Sequence, residues 1–395
     1  MTANQADDRY GWAQQRARRA YLALADGGVF RGYSIGAPLD VVGETVFNTG
    51  MTGYQEILSD PSYSGQIVCL TAPEIGNYGI NDEDWESDRI HTSGLIAHRI
   101  NPHPSNWRSR KSVGAALLEA GVPALAGIDT RALTLGLRDR GAQKSFLCAS
   151  GAVPVEEGLA RARAWEGLDG QDYATRVGTK KAYAWNEGVP GGAPGYPHAG
   201  AEPGRNGYRI AALDFGNKWS ILRNLRRAGF EVTVLPPVTS AAETLALRPD
   251  GVFISNGPGD PAAVSYAAGA IRGLLGRVPV MGICLGHQLL GLASGGKTYR
   301  LPFGHHGCNH PVKDIVSGNV LITSQNHGFA VDADSLPAAT TEITHISLND
   351  NSLEGFRRKD VPAFSVQFHP EAGPGPHDAL YLFRRFSELI AEARG

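Results

Sequence analysis

Cysteine is scarce in this chain: Cys69, Cys148, Cys284 and Cys308 are the 4 cysteines among 395 residues. They form no C-x-x-C pair, and their scatter excludes a disulfide framework or a cysteine-rich zinc module. Each is read alone, with buried apolar filler as the default. An excess of either charge is also missing. Lys and Arg number 37 against 39 Asp and Glu, for a formal net charge of −2, so no basic surplus is available to grip nucleic acid. No apolar run approaches the ~18 residues of a membrane span. The first twenty residues, MTANQADDRYGWAQQRARRA, hold no apolar stretch of the secretory kind. A GxxxxGK[ST] phosphate loop is absent, so the chain itself is not expected to use ATP. Together these absences predict a cytoplasmic protein that binds neither nucleic acid nor membrane.

Enough apolar residues are present for large cores, 42% against 19% charged, and the length leaves room for two domains of roughly 100–200 residues each. Residues 186–207, NEGVPGGAPGYPHAGAEPGRNG, are dominated by Gly and Pro without apolar periodicity, as in a linker. The predicted division is a polar tail over 1–20, an N-terminal domain over 21–185, the linker, and a C-terminal domain over 208–395.

The C-terminal part alternates short apolar runs with helical periodicity. Strands are expected at Arg209–Leu213, Glu231–Leu235, Gly251–Ser255 and Val278–Ile283, with helices between them. Repeated strand–helix units imply an α/β fold with a mostly parallel sheet covered on both faces, and active sites in such sheets lie beyond the carboxyl ends of the strands. The N-terminal part reads as mixed and β-rich. Tyr21–Leu24 and Val29–Gly32 flank Asp26-Gly27-Gly28, a hairpin signal, Val41–Thr49 and Gln66–Thr71 are further strands, and helical patterns lie near 111–120 and 129–140.

One segment carries chemistry. Pro279-Val280-Met281-Gly282-Ile283-Cys284-Leu285-Gly286 is an apolar strand running into Gly-x-Cys-x-Gly and then a helix, the nucleophile-elbow pattern with cysteine in the serine position. Glycines flank the turn where a Cβ would clash, and the sulfur of Cys284 is set at the positive end of a helix, where negative charge is stabilised. A buried structural cysteine at a strand–helix junction would give the same local pattern. The reading gains weight from Ala363–Glu371, a strand ending in His369-Pro370-Glu371. A proline-fixed turn there lets Glu371 hold one imidazole nitrogen of His369 while the other meets Cys284, completing nucleophile, base and orienting acid. Ser255-Asn256-Gly257-Pro258-Gly259 follows another strand, and the backbone N–H groups of Gly257 and Leu285 are assigned to an oxyanion hole.

The segments GICLGHQ, NGPGDP and QFHPEA resemble a class I glutamine amidotransferase domain of the Cys-His-Glu type, over about 209–390. Phe47–Glu56, Ser59–Tyr63, Gly127–Arg131 and Phe303–Gly307 resemble the small subunit of carbamoyl-phosphate synthetase. The resemblance implies that Gln288 helps hold L-glutamine, that Gly257 and Gly259 contact it through the backbone, and that Asn326, Gly328 and Phe329 bind its amino-acid end. It places Gly50 where many relatives carry a serine that contacts glutamine, leaving only backbone or water-mediated contact here. It also implies ammonia delivery through a tunnel to a large, ATP- and Mg-using synthetase subunit in a heterodimer. The product would be carbamoyl phosphate for arginine and pyrimidine biosynthesis, with no cofactor or metal in this chain. Two alternatives stand beside this: a free-standing cysteine amidohydrolase on the same scaffold, and a regulatory subunit with a degenerate site. The dense His305, His306, Cys308 and His310 cluster is read as a tight loop, not a metal site, because Gly307, Asn309 and Pro311 interrupt it and zinc sites usually draw on spaced ligand pairs.

Overall fold

The computed structural model describes residues 12–185 and 207–395. Residues 186–206 of the linker expected over 186–207, and residues 1–11 of the tail expected over 1–20, therefore lie outside the described residues, and Trp12–Arg16 is helical. The chain divides into two compact units, Met1–Leu168 with Pro302–His306, and Asp169–Leu301 with Gly307–Gly395. This moves the boundary from residue 185 to 168. The reason lies in where residues 169–185 find their partners: Thr179 N–H donates to Asp214, and Tyr183–Ala184 pairs with the strand Glu231–Leu235.

The first unit contains β1 (Arg19–Leu24), β2 (Val29–Gly36), β3 (Asp40–Asn48), β4 (Gln66–Leu70), β5 (Glu74–Ile75), β6 (Gly94–Ala97), β7 (Arg99–Ile100), β8 (Pro123–Ala126) and β9 (Gln143–Cys148). Seven of these close a barrel in the order β1-β2-β8-β6-β4-β3-β9, and β5 and β7 form a separate ribbon. The β1–β2 turn is the expected one. Gly27 takes φ 105, a region open to glycine, and Asp26 accepts from Gly28 N–H. Strand alternation sends Leu22, Ile67, Cys69, Ile96 and Leu125 into one apolar cluster and Val68, Leu95 and Ala124 into another. Cys69 is therefore the buried filler expected by default, and burial pushes its thiol up to about 12. The helix Thr130–Arg140 starts on an Asp129 cap and ends at Gly141.

The second unit is built on a ten-stranded sheet. Its strands are β10 (Tyr183–Ala184), β11 (Arg209–Leu213), β12 (Glu231–Leu235), β13 (Gly251–Ile254), β14 (Val280–Ile283), β15 (Lys297–Asp314), β16 (Val320–Asp332), β17 (Thr341–Ser347), β18 (Leu353–Arg358) and β19 (Ala363–Val366). The parallel run β12-β11-β13-β14-β19 matches the βα pattern of the sequence. The antiparallel extension through β18, β17 and β15 was not legible. One face of the sheet is packed by the helices Ser265–Leu274 and Leu285–Ala293, the other by Trp219–Arg227 and Tyr381–Arg394. The tight loop expected around His305–Pro311 is instead the middle of β15. Successive strand residues point to opposite faces, so His305 and His306 are turned apart. No helix among the described residues is long and apolar enough to cross a membrane.

Two histidines lie in this sheet's cores. His287 Nδ1 pairs with Ser365 Oγ at 2.9 Å, and His345 Nδ1 with Thr344 Oγ1 at 2.9 Å. Neither Nε2 has a hydrogen-bond partner among the described residues. Burial, aided by His345, lowers His287 to about 3. Burial, opposed by Asp314, lowers His345 to about 4. Both are neutral when folded and take up a proton on unfolding near their ordinary value of 6.5. Their contribution to stability is present above pH 6.5 and declines as pH falls toward 4, by at most ~1.4 kcal/mol per pH unit for each ring. Urea unfolding at stepped pH should show that decline, and His345→Gln should flatten it. A flat wild-type curve across the window would mean that these rings are charged in the folded protein.

Candidate active site

The site is assembled where parallel strands end. β14 is fully buried and delivers Cys284 to the start of the helix Leu285–Ala293 with φ 55 and ψ −107. This left-handed conformation, rare for a residue with a Cβ, costs about 1–3 kcal/mol and persists only where its surroundings impose it. Here they do. Cys284 N–H donates to Val366 O at 2.9 Å, tying β14 to β19, and Cys284 O accepts from His287 and Gln288 N–H at 3.0 and 3.1 Å. The flanking glycines stand where a Cβ would clash, as expected, although neither takes positive φ, because the strained turn falls on the cysteine itself. Their lack of a side chain permits close packing. A Cβ on Gly286 would lie 2.2 Å from Ile254 O, and one on Gly282 2.6 Å from Gly286 O.

His369 follows β19. Its N–H donates to Ser324 O at 2.9 Å, and its Nδ1 lies 2.6 Å from Glu371 Oε1, as the His-Pro-Glu spacing requires. The same Oε1 accepts from Lys218 Nζ at 2.9 Å, with both side chains almost wholly removed from solvent. Burial on its own would raise Glu371, but the Lys218 ammonium and His369 outweigh it and bring the carboxyl down to about 2. Burial likewise works against a charged imidazole, but the Glu371 carboxylate and the Cys284 sulfur carry His369 up to about 10. Nε2 makes no hydrogen bond among the described residues. The Cys284 thiol instead donates to Asn326 O at 3.6 Å.

Gly257 packs closely against two neighbours. A Cβ on Gly257 would come 2.9 Å from the Leu285 side chain and 2.3 Å from Phe215 O, so only glycine permits this approach. Leu285 is the first helical residue after Cys284, a position whose N–H has no intrahelical acceptor. Gln288 Nε2 donates to Phe329 O at 2.8 Å and to Gln367 Oε1 at 3.1 Å. That pins the Asn326–Phe329 main chain to the nucleophile helix. His327 contributes too, bridging Phe329 O and Gln325 Oε1 at 2.7 and 2.9 Å, while Gln325 Nε2 donates to buried Glu354. Gly328 has open space where a side chain would stand. Gly259 takes φ +91 and packs against the backbone of Gln171 and Tyr173. Gly50 belongs to the first unit, where its N–H is taken by Asn48 Oδ1 at 2.7 Å.

Sequence reasoning missed Lys218, along with Gln325 and Gln367. A signal for Lys218 was present: it heads a helix directly after the loop that leaves β11, at the strand end where sites of this fold gather. A lysine there is ordinarily solvated, and nothing local reveals the carboxylate 153 residues away.

The buried pair makes its own prediction. Removing one partner strands a charge in the interior, which costs about 3–5 kcal/mol. Lys218→Met and Glu371→Gln should each destabilise strongly in denaturant unfolding. The double variant should lose clearly less than the sum of the two, and additive losses would show that the two charges do not sustain each other.

Comparison with known proteins matches residues 211–389 to the family model "Glutamine amidotransferase class-I" and residues 22–147 to "Carbamoyl-phosphate synthase small chain, CPSase domain". Proteins named carbamoyl phosphate synthase small chain align over almost the full length. The one from Polynucleobacter asymbioticus is 53% identical, covering 95% of this chain and 96% of its own. The one from Thioalkalivibrio sulfidiphilus is 54% identical over 94% and 97%, and the one from Vibrio cholerae 53% over 96% and 100%. With identity of this order running through both units, the chain belongs to the carbamoyl-phosphate synthase small-chain family, its second unit being a class I glutamine amidotransferase domain.

Proposed function

We infer that this chain is the glutamine-hydrolysing subunit of carbamoyl-phosphate synthase, with Cys284 as nucleophile. The observation that carries the residue assignment is the convergence at one end of the parallel strands: a strained cysteine at a helix start, the Lys218–Glu371–His369 chain behind it, and Gly257 against Leu285 beside it.

The reaction follows from these groups. The Cys284 sulfur attacks the side-chain amide carbon of L-glutamine as the thiolate, its proton held on His369, and the N–H groups of Gly257 and Leu285 hold the oxyanion, each such donor typically worth about 3 kcal/mol of barrier. Collapse breaks the C–N bond, and His369 gives its proton to the departing ammonia. Water, deprotonated by His369, then cleaves the thioester and releases glutamate. The charge on Glu371 holds the imidazole in the orientation that both steps use. Gln288, Gly259, Asn326, Gly328 and Phe329 are assigned to glutamine binding, and Gly50 to a backbone contact.

Making carbamoyl phosphate also takes phosphoryl transfer, for which this chain carries no GxxxxGK[ST] loop. The small-chain family therefore implies a large synthetase partner. We assign ATP and Mg to that partner, place the complex in the cytoplasm, and take its product to supply arginine and pyrimidine synthesis. The match of the first unit to the small-chain model over 22–147 weighs against a free-standing amidohydrolase, and the intact Cys-His-Glu set weighs against a degenerate subunit.

Cys284→Ser should abolish glutamine-dependent carbamoyl phosphate synthesis by the complex while ammonia-dependent synthesis continues at the wild-type rate. Loss of both activities in an assembled complex, or retention of both, would refute the role given to Cys284.

A further inference from the structure

The segment Asp169–Thr179 contributes no residue to the catalytic set, yet it touches two of the loops that build it. At one end Gly170 N–H donates to Asp260 Oδ2 at 3.1 Å, while Asp260 Oδ1 accepts from Ala262 N–H at 2.9 Å and caps the short helix Pro261–Val264. One carboxylate thus serves both its own helix and the passing segment. Next to it, Gly259 presses on that segment's backbone: an added Cβ would sit 3.2 Å from Gln171 O and 3.4 Å from Tyr173 Cβ. In the middle, Ala174 is fully buried in the core that also holds Phe215, Ile254 and Leu285, and Tyr266 OH donates to Asp172 at 3.3 Å. At the far end, Thr179 N–H donates to Asp214 Oδ2 at 2.8 Å, and a Cβ on Gly178 would lie 2.3 Å from Asp214 O. The other oxygen of Asp214 accepts from Gly216 and Asn217 N–H, fixing the turn that delivers Lys218.

The loop between β13 and the Pro261–Val264 helix is secured on its upstream side by the Ser255 hydroxyl, which accepts from Phe215 N–H and donates to Asn256 O. Downstream stand Pro258 and Gly259, with Gly259 in a left-handed conformation, so the aim of the Gly257 N–H depends on what holds the Asp260 end. A donor to an oxyanion acts in the transition state and is sensitive to small displacements. A change in its aim therefore falls on kcat more than on substrate affinity.

We propose that Asp169–Thr179 is a positioning strap for the Gly257–Gly259 loop, with the Asp260 carboxylate as its clasp. The proposal rests on the oxyanion role given to Gly257 above. The strap needs no contact with glutamine, because it acts by holding the loop's donor in place.

The test uses the complex with its synthetase subunit. Asp260→Ser keeps a good helix cap but is too short to hold the Gly170 N–H as well. It should lower glutaminase kcat about 10- to 100-fold, less than outright loss of an oxyanion donor. KM for glutamine should stay within about threefold, the thermal midpoint should hold, and Cys284 should be alkylated by iodoacetamide at the wild-type rate, since that reaction forms no oxyanion. Asp260→Asn, which retains a carbonyl oxygen, should recover part of the rate. A kcat within twofold of wild type for Asp260→Ser would overturn the proposal. So would a kcat loss matched by equal losses of iodoacetamide reactivity and thermal midpoint, which would mark Asp260 as merely structural. Either failure leaves the glutaminase reading untouched, because that reading stands or falls on Cys284→Ser.

Discussion

One buried oxygen, Glu371 Oε1, holds two cationic side chains at once, His369 at 2.6 Å and Lys218 at 2.9 Å. A carboxylate sealed from water is costly unless opposite charge meets it, and an imidazolium sealed beside a thiol faces the same difficulty. The three groups resolve this jointly. Lys218 keeps the carboxylate ionised, the carboxylate keeps the imidazole charged and oriented, and each needs the others in place. That demand fixes three chain segments: the loop after β11, the turn after β19, and, through the Cys284 N–H to Val366 O bond, the end of β14. The charge chain thus acts as a structural constraint on the sheet ends as much as a chemical device.

Backbone geometry supplies the second constraint. Cys284 can occupy its strained conformation because the helix behind it lies close to β13, and that approach is possible because Gly286 presents only hydrogen to Ile254 O. The close packing of the strand–helix pair and the strained turn at Cys284 are met by the same three residues, Gly282, Cys284 and Gly286. Gly257 repeats the logic against Phe215 O. In each case glycine serves to bring two backbones together.

Much of this was legible because the informative patterns are local. The parallel strands are short and apolar with helical periodicity between them, and Gly-x-Cys-x-Gly, Asn-Gly-Pro-Gly and His-Pro-Glu each sit at a strand end. What stayed hidden is non-local. Lys218 looks like any helix-leading lysine until the turn after β19 brings Glu371 to it. The antiparallel strands β15 and β16 hid behind their composition, since Pro302, Gly304, Gly307 and Pro311 interrupt β15 and read as loop. The boundary was misplaced for a related reason: Gly and Pro mark 186–207, whereas the contacts that assign 169–185 to the second unit are hydrogen bonds to Asp214 and β12, which composition does not encode.

The membership of Pro302–His306 in the first unit has a consequence for how the protein is made. Within that unit Ala142 N–H donates to Pro302 O at 2.9 Å, Thr49 N–H donates to His306 O at 3.2 Å, and the Phe303 ring stacks on Phe47 at 5.9 Å. Translation delivers those five residues about 150 positions after β9, a delay on the order of 10–30 s at ordinary elongation rates. During that interval the nascent barrel lacks these two hydrogen bonds and the ring that stacks on Phe47. Five of the ten strands of the second unit's sheet, β10 to β14, emerge before Pro302–His306 do, so the two units mature as an overlapping pair rather than in sequence.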